Sequence, residues 1–246
     1  MTYHYDYEIP SRLPAAPRRA PATRRPKGIV FVESTTQCYW FDLSTRRPVA
    51  ARVKRMIDLA LATMLVTLIA PLLLLIIVLI KLTSPGPVIF RQRRIGFRCH
   101  QFHMYKFRTM VAGAQALEKQ LAREQGTTFL KLTDDPRVTR LGKVLRKYSL
   151  DELPQLFNVL EGTMSLVGPR PLLVSDLGTF PRRSQMRRFS MPPGITGLWQ
   201  VSGRSNCDDR RRMQLDSEYV DRWSLSLDSH ILLRTIDVVF NARGAV

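Results

Sequence analysis

Cysteine is scarce in this sequence, and several common signatures of enzyme chemistry are missing. The three cysteines, at positions 38, 99 and 207, lie far apart and form neither a CxxC metal motif nor a disulfide framework, which indicates a reducing compartment. The chain also lacks a P-loop, a GxGxxG turn after a strand and a GxSxG elbow. Nucleoside triphosphatase, dinucleotide-binding and hydrolase functions are therefore unsupported.

Acidic residues are also few, with 20 Asp and Glu against 38 Lys and Arg and a net charge of +18. Apolar residues nevertheless make up 45% of the 246 positions, which is too many for a wholly disordered basic tail and enough for a hydrophobic core. The charge predicts a polyanionic partner, which could be nucleic acid, an anionic membrane surface or a phosphorylated substrate.

The first 28 residues contain five prolines and five arginines, but no apolar run of the kind that a secretory signal needs. We expect no cleaved signal peptide there. Residues 1–45 are predicted to be a basic, Pro/Arg-rich arm, largely disordered, because this composition buries too little apolar surface to offset ordering entropy. Residues 46–246 are predicted to form one α+β domain, mainly helical, with helices over 111–125, from Asp151 to Gly162, and from about Asp228.

A run of 22 uncharged residues from Leu59 to Ile80 is long enough to cross the bilayer core, about 30 Å thick, as a helix. Pro71 lies near its middle and predicts a kink or break, because it removes a backbone hydrogen bond. Five Lys and Arg lie in residues 46–55 and seven in residues 81–110, with no acid in either stretch. Both ends therefore look cytoplasmic, which is typical of a re-entrant helix, whereas an ordinary single span is the alternative.

Two adjacent carboxylates, Asp151 and Glu152, stand at the start of the predicted short helix. One interpretation is a capping box, with Ser149 as N-cap and Glu152 three residues later. Pro154 is better accommodated if the helix starts near Asp151, because its missing N–H then costs nothing. Both carboxylates would then lie at the positive end of a helix dipole, which suits metal binding or nucleophilic attack. These residues alone leave capping and function open.

Basic residues recur beside glycine or proline, and not at the three- or four-residue spacing of a solvated helical face. An arginine on a rigid loop loses little entropy when it binds a phosphate through two hydrogen bonds, so this pattern predicts a phosphate-rich ligand. The candidates are Lys106, Arg108, Arg137, Arg140, Arg146, Lys147, Arg170 and Arg204.

Seven motifs follow one another in an order that resembles the bacterial sugar transferases, which are polyprenyl-phosphate phosphoglycosyl transferases. The resemblance covers about residues 50–246. The motifs run from Lys54 to Asp58, Ser84 to Gly96, Tyr105 to Met110, Asp135 to Gly142, Ser149 to Leu156, Met164 to Leu172 and Pro193 to Arg204.

The resemblance implies an enzyme that transfers a sugar 1-phosphate from a UDP-sugar to polyprenyl (undecaprenyl) phosphate, releases UMP and uses Mg²⁺. Such enzymes act at the cytoplasmic face of the bacterial inner membrane and begin the assembly of exopolysaccharide, O-antigen or other glycans. It also implies a membrane-associated monotopic domain with amphipathic interfacial helices and one re-entrant helix over about residues 56–81, broken at Pro71. Larger members carry further N-terminal membrane spans, so this chain resembles the compact form.

The same resemblance assigns roles to individual residues. Asp151 matches the nucleophile that attacks the sugar-bearing phosphate, and it is also the implied metal ligand. Glu152 matches the neighbouring acid, which assists through the metal or as a base. Thr163 is a departure, because the family usually has an acid at this position. The implied phosphate-binding residues are Arg170, Arg204, Arg146, Lys106 and Arg108.

A lipid-linked acceptor requires a site at the membrane interface, where we expect Trp199 and Trp223 to act as anchors. Of the net charge, +14 lies in residues 1–55 and 81–110, on the two sides of the apolar run. This distribution predicts an anionic membrane surface as partner and no nucleic acid. The rival hypothesis is a single-span anchor that displays a basic domain for nucleic acid or anionic lipid.

Overall fold

The computed structural model describes residues 47–111, 113–114, 135–174, 187–203 and 208–240. The arm predicted over residues 1–45 and nearly all of the helix predicted over 111–125 lie outside these residues. The described part is mainly helical with some sheet, as predicted. Its α-helices are α1 (Pro48–Thr83), α2 (Arg140–Lys147), α3 (Gln155–Glu161), α4 (Leu198–Val201), α5 (Asp209–Arg222) and α6 (Leu225–Phe240). Its strands are β1 (Ile89–Ile95), β2 (Gln101–Phe107), β3 (Ser165–Val167), β4 (Leu172–Leu173) and β5 (Gly194–Thr196).

The apolar run forms the long helix α1, which begins at Pro48 and ends where Ser84 N–H donates to Ile80 O at 3.2 Å. The helix continues through Pro71, so the predicted break there is not confirmed. Proline lacks the backbone N–H that would donate one helical hydrogen bond, but the apolar residues on both sides of it still make theirs, so the helix continues. By length and composition, α1 is able to cross a membrane. Only 17% of its most apolar 18-residue window is buried inside the protein.

The strands form two small sheets behind this helix. β1 pairs antiparallel with β2 over seven residues, and β4 adds to the other edge of β1. β3 and β5 pair in parallel, and their backbones approach so closely that a Cβ on Gly168 would lie 2.4 Å from Pro192 O. Glycine is therefore required at the point where β3 leads into the loop that carries Arg170.

In the described part of the chain, two clusters of buried apolar side chains pack against α1. The larger cluster packs α3, β3, α5 and α6 around the N-terminal half of α1, with Ala62, Val159, Tyr219 and Ile231 fully buried. The smaller one packs the C-terminal half of α1 against β2 and α2. Helix α6 begins at Leu225, three residues before the predicted start at about Asp228, and α3 ends before Gly162 as predicted.

Both tryptophans predicted to be interfacial anchors are buried, so that prediction is wrong. Trp199 is 8% exposed and Trp223 is 3% exposed. The indole N–H of Trp223 donates to Asp228 Oδ2 at 3.2 Å, so this ring needs no polar interface to satisfy it.

A buried polar network joins α1 to α5, α6 and β3. Lys54 Nζ lies 2.7 Å from Asp228 Oδ2, and Tyr219 O–H donates to Asp228 Oδ1 at 2.7 Å. One turn along α1, Asp58 accepts hydrogen bonds from Ser165 Oγ at 2.7 Å and from the backbone N–H of Leu166 at 3.2 Å. The network fixes the position of α1 against the rest of the fold.

Candidate active site

The predicted acidic pair lies in a short 3₁₀ turn, Leu150–Glu152, between α2 and α3. Ser149 enters this turn with a left-handed backbone (φ 56°) and its side chain makes no capping hydrogen bond, which argues against the capping-box interpretation. Pro154 stands immediately before α3, where its missing N–H is not needed. The turn holds Asp151 against the protein, with 9% of its surface exposed.

Lys106 on β2 faces both carboxylates. Its ammonium nitrogen lies 2.7 Å from Glu152 Oε1 and 3.8 Å from Asp151 Oδ2. Arg170, in the loop between β3 and β4, places Nη2 3.6 Å from the same Glu152 oxygen. The site therefore combines two acids with two cations from three separate segments of the chain.

Burial raises the pKa of Asp151 above its ordinary value, and the negative charge of Glu152 raises it further. The positive charges of Lys106 and Arg146 oppose this shift. A partly desolvated carboxylate is more basic and more nucleophilic than one in water, and the nearby cations favour its ionised form.

The other predicted phosphate-binding residues take different places. Arg146 donates from Nε to Thr109 Oγ1 at 3.0 Å and lies close enough to act on the charge of Asp151. Arg108 instead binds the loop after α1, where it donates to Ser84 O at 2.7 Å and to Pro87 O at 2.6 Å. Arg204 lies outside the described residues.

Asn158 on α3 is a positioning residue that the sequence analysis missed. It is fully buried, accepts from Tyr105 N at 2.9 Å and donates to His103 O at 2.8 Å, so α3 is fixed to β2. This contact sets Glu152 beside Lys106. The sequence shows only an asparagine among apolar residues of the predicted short helix. Thr163 bonds only to Asn158 among the described contacts, as donor to its carbonyl at 3.2 Å and as acceptor from its amide at 3.1 Å.

A buried ion pair between Arg188 and Asp216 supports Arg170. Asp216 is 1% exposed, and burial raises its pKa to about 6 despite the neighbouring guanidinium. Arg188 Nη2 contacts Asp216 Oδ2 and also donates to the backbone carbonyl of Arg170 at 2.8 Å. These two residues are 28 positions apart and give no local pattern that sequence analysis could use.

The donor chemistry of the site fits a hard divalent cation. Mg²⁺ takes one or two carboxylates together with substrate phosphates, and Asp151 and Glu152 supply adjacent carboxylates. Within the part of the chain that the structure describes, no group of three or more His, Cys, Asp or Glu forms a complete protein cage. The remaining ligands would have to come from phosphate or water.

Comparison with known proteins gives consistent matches. The profile of the family described as bacterial sugar transferase matches residues 49–242. The exopolysaccharide production protein ExoY of Rhizobium meliloti is 42% identical over 205 residues, which cover 81% of this chain and 90% of that protein. The undecaprenyl-phosphate galactose phosphotransferase of Salmonella typhimurium is 42% identical over 200 residues, or 78% of this chain and 41% of that protein. The UDP-N-acetylgalactosamine-undecaprenyl-phosphate N-acetylgalactosaminephosphotransferase of Aeromonas hydrophila is 41% identical over 203 residues, which cover 80% of this chain and 46% of that protein.

Proposed function

The chain belongs to the bacterial sugar transferase family, as its motifs predicted, and on this basis we propose that it transfers a sugar 1-phosphate from a UDP-sugar to polyprenyl phosphate. The products are UMP and a polyprenyl diphosphate sugar, the lipid-linked start of a polysaccharide. The observation that carries this proposal is the buried Asp151 beside Lys106, Glu152 and Arg170. Relatives named as undecaprenyl-phosphate sugar phosphotransferases support the choice of acceptor.

The reaction is proposed to proceed in two displacements at one phosphorus atom. A carboxylate oxygen of Asp151 attacks the sugar-bearing phosphorus, and the bond from that phosphorus to the bridging oxygen breaks, so that its electron pair leaves with UMP. A phosphate oxygen of the polyprenyl phosphate then attacks the same phosphorus and expels the carboxylate of Asp151. Glu152 serves as the base for any proton on the acceptor phosphate.

The surrounding cations stabilise the charge that this chemistry moves. Phosphoryl transfer depends mainly on positioning and on neutralising negative charge. Lys106 and Arg170 lie within 4 Å of the acidic pair, and Arg146 acts on Asp151 through its charge. Lys106 also orients Glu152 through their 2.7 Å contact.

Mg²⁺ is proposed as the cofactor, held by Asp151 together with phosphate oxygens of the substrate. When bound, the ion supplies neutralisation of the diphosphate charge. Removal of divalent ions with EDTA should abolish UMP release, and added Mg²⁺ should restore it. Full activity in EDTA would rule out a divalent cofactor.

The proposal places the site at the cytoplasmic face of the bacterial inner membrane, with α1 entering and leaving on that face. Basic residues at both ends of α1 and its exposed apolar surface support this topology. Because α1 is continuous, re-entry requires a bend at Pro71 and not an interruption. Cysteines introduced by Thr45→Cys and Phe90→Cys, with the native cysteines replaced by serine, should both be labelled from the cytoplasmic side. Labelling from opposite sides would establish a single span.

The catalytic assignment is tested by UMP release from membranes that contain the full chain, polyprenyl phosphate, Mg²⁺ and a panel of UDP-sugars. Asp151→Asn should abolish release while the protein remains folded, because the amide is not a nucleophile. Asp221→Asn is the matched control, since Asp221 is an exposed carboxylate whose partner is the exposed Arg187. An active Asp151→Asn variant would remove Asp151 from the mechanism. No UMP from any UDP-sugar would contradict the proposed reaction.

A further inference from the structure

Phe90 on β1 is a large apolar side chain that the fold leaves partly uncovered. It is 41% exposed, and none of the apolar clusters among the described residues includes it. A single exposed apolar residue is ordinary on a protein surface and needs no explanation by itself. What distinguishes Phe90 is its position beside the groups proposed for the chemistry.

Phe90 lies directly opposite Lys106 in the antiparallel pair of β1 and β2. Opposed residues project from the same face of a sheet, with their Cβ atoms about 4.5–5.5 Å apart. Lys106 uses this face to reach the acidic pair, at 2.7 Å from Glu152 Oε1 and 3.8 Å from Asp151 Oδ2. The side chain of Phe90 therefore leaves the sheet on the face that carries this cation, one strand away from it.

The opposite face of the same strand pair packs against α1. Ile89 and Phe107 are opposite each other in the pairing, and both belong to the apolar cluster that contains Ile76 and Ile80 of α1. Ile80 is the last residue of the uncharged run. The end of the sheet that carries Phe90 is thus held at the end of the apolar run, where α1 leaves the bilayer in the proposed topology.

The proposed acceptor combines a phosphate that reacts at the acidic pair with an apolar chain that stays in the bilayer. The isoprene units nearest to its phosphate must therefore lie between the end of the apolar run and the acidic pair. Phe90 adjoins both features, through Ile89 along the chain and through Lys106 across the strands. We infer that Phe90 contacts these isoprene units and so positions the acceptor phosphate. This inference rests on the proposed function for the identity of the acceptor.

The first test measures protection of a cysteine at this position in the full detergent-solubilised chain. Phe90→Cys, with the native cysteines replaced by serine, is labelled by a thiol reagent with and without undecaprenyl phosphate. The lipid should slow labelling severalfold, whereas undecaprenol, which has the same chain without the phosphate, and UDP should slow it much less. Phe157→Cys is the matched control, because Phe157 is a phenylalanine of similar exposure, 43%, on α3. Its labelling should not depend on undecaprenyl phosphate.

The second test separates the two substrates in the kinetics of UMP release. Phe90→Ala should lower kcat/KM for undecaprenyl phosphate by roughly tenfold, as expected for losing part of the burial of a phenyl ring. In a double displacement the substrates react in separate steps, so kcat/KM for the UDP-sugar should change by less than about twofold. Phe90→Leu keeps an apolar contact and should recover most of the loss. If Phe90→Ala lowers thermal stability, Phe90→Leu and the cysteine protection still decide the matter.

The outcomes distinguish this inference from the proposed function. Protection of Phe90→Cys that is absent, or no greater than that given by undecaprenol or UDP, overturns the inference even if the wild-type chain releases UMP. Weaker binding of Phe90→Ala to lipid vesicles, with unchanged kcat/KM for the short soluble acceptor geranyl phosphate, also overturns it, because Phe90 would then be a membrane anchor. Protection by undecaprenyl phosphate without UMP release from any UDP-sugar supports the contact and contradicts the proposed reaction. Neither protection nor UMP release contradicts both.

Discussion

Asp228→Asn tests whether the buried network holds α1 in place. Asp228 is 7% exposed and accepts from three side chains: Lys54 at 2.7 Å, Tyr219 at 2.7 Å and Trp223 at 3.2 Å. Asparagine has the same shape and keeps an oxygen acceptor, but it removes the negative charge. Among the described residues, the remaining carboxylate near Lys54, itself 6% exposed, would then be Asp58, whose nearest oxygen is 3.9 Å away.

The size of the effect follows from the burial of the pair. Removing one partner of a buried ion pair costs about 3–5 kcal/mol, because the other charge remains desolvated. The acceptor oxygen that asparagine retains for Tyr219 offsets about 1 kcal/mol of this. We therefore expect a loss of about 3 kcal/mol in the free energy of unfolding, which for a domain of this size lowers Tm by roughly 6–12 °C.

Denaturant titration of the detergent-solubilised chain, followed by tryptophan fluorescence, measures this loss directly. Asp221→Asn is the control, because its ion pair with Arg187 is exposed and should contribute less than about 1 kcal/mol. Lys54→Met in the Asp228→Asn background removes the unpaired ammonium, so the double variant should be more stable than the sum of the single losses predicts. A loss no larger than that of Asp221→Asn, or simple additivity of the two changes, would refute this account of the network.

Three further predictions concern the site and its supports. Lys106→Met should lower kcat for UMP release by roughly tenfold or more, because a cation beside the transferred phosphate stabilises the transition state. Lys106→Arg keeps the cation and should retain part of the activity. Equal rates for both variants would contradict this. Burial raises the pKa of Asp216 from 3.8 to about 6, so its protonated form stabilises the fold at low pH and this contribution is lost as pH rises through 6. In paired denaturant titrations, the stability of wild type relative to Asp216→Asn should fall by about 2 kcal/mol between pH 4 and pH 7. A constant difference would contradict this. Gly142→Ala should cost about 2 kcal/mol or more in the same titration, since its Cβ would lie 2.2 Å from Thr109 O, while Val144→Ala at an exposed position of α2 should cost less than about 0.5 kcal/mol.

Some features were predictable because they depend on local sequence. The uncharged run before Lys81 predicts a long helix by length alone, and α1 extends several residues beyond it at both ends. Gly162 ends α3 with φ 87°, a backbone that favours glycine, so the predicted end of this helix is confirmed. The motif from Ser149 to Leu156 also predicts Asp151 as the nucleophile, and that role stays a prediction.

Other features were not predictable because they depend on contacts between distant segments. Lys106 and Arg108 look equivalent in sequence, yet Lys106 lies at the acidic pair and Arg108 binds the loop after α1. β2 ends at Phe107, so the strand alternation that would have kept the two side chains on one face no longer applies. The burial of Trp199 likewise depends on packing between separate helices, which composition does not encode.

The contacts of α1 explain how an apolar helix can determine the position of a polar reaction site. Arg55 on α1 donates to the carbonyls of Val159 at 2.6 Å and Leu160 at 3.0 Å, at the end of α3, whose other end follows the Asp151 turn. Asp58, one turn further along, accepts from β3, which leads directly into the Arg170 loop. The proposed nucleophile, Asp151, and the proposed phosphate-binding residue, Arg170, are thus both fixed to one short stretch of α1, adjacent to its apolar run. The depth of the apolar run in a bilayer would therefore set the height of both groups together. The proposed reaction requires this, because its nucleotide sugar is soluble and its acceptor phosphate is bound to the membrane.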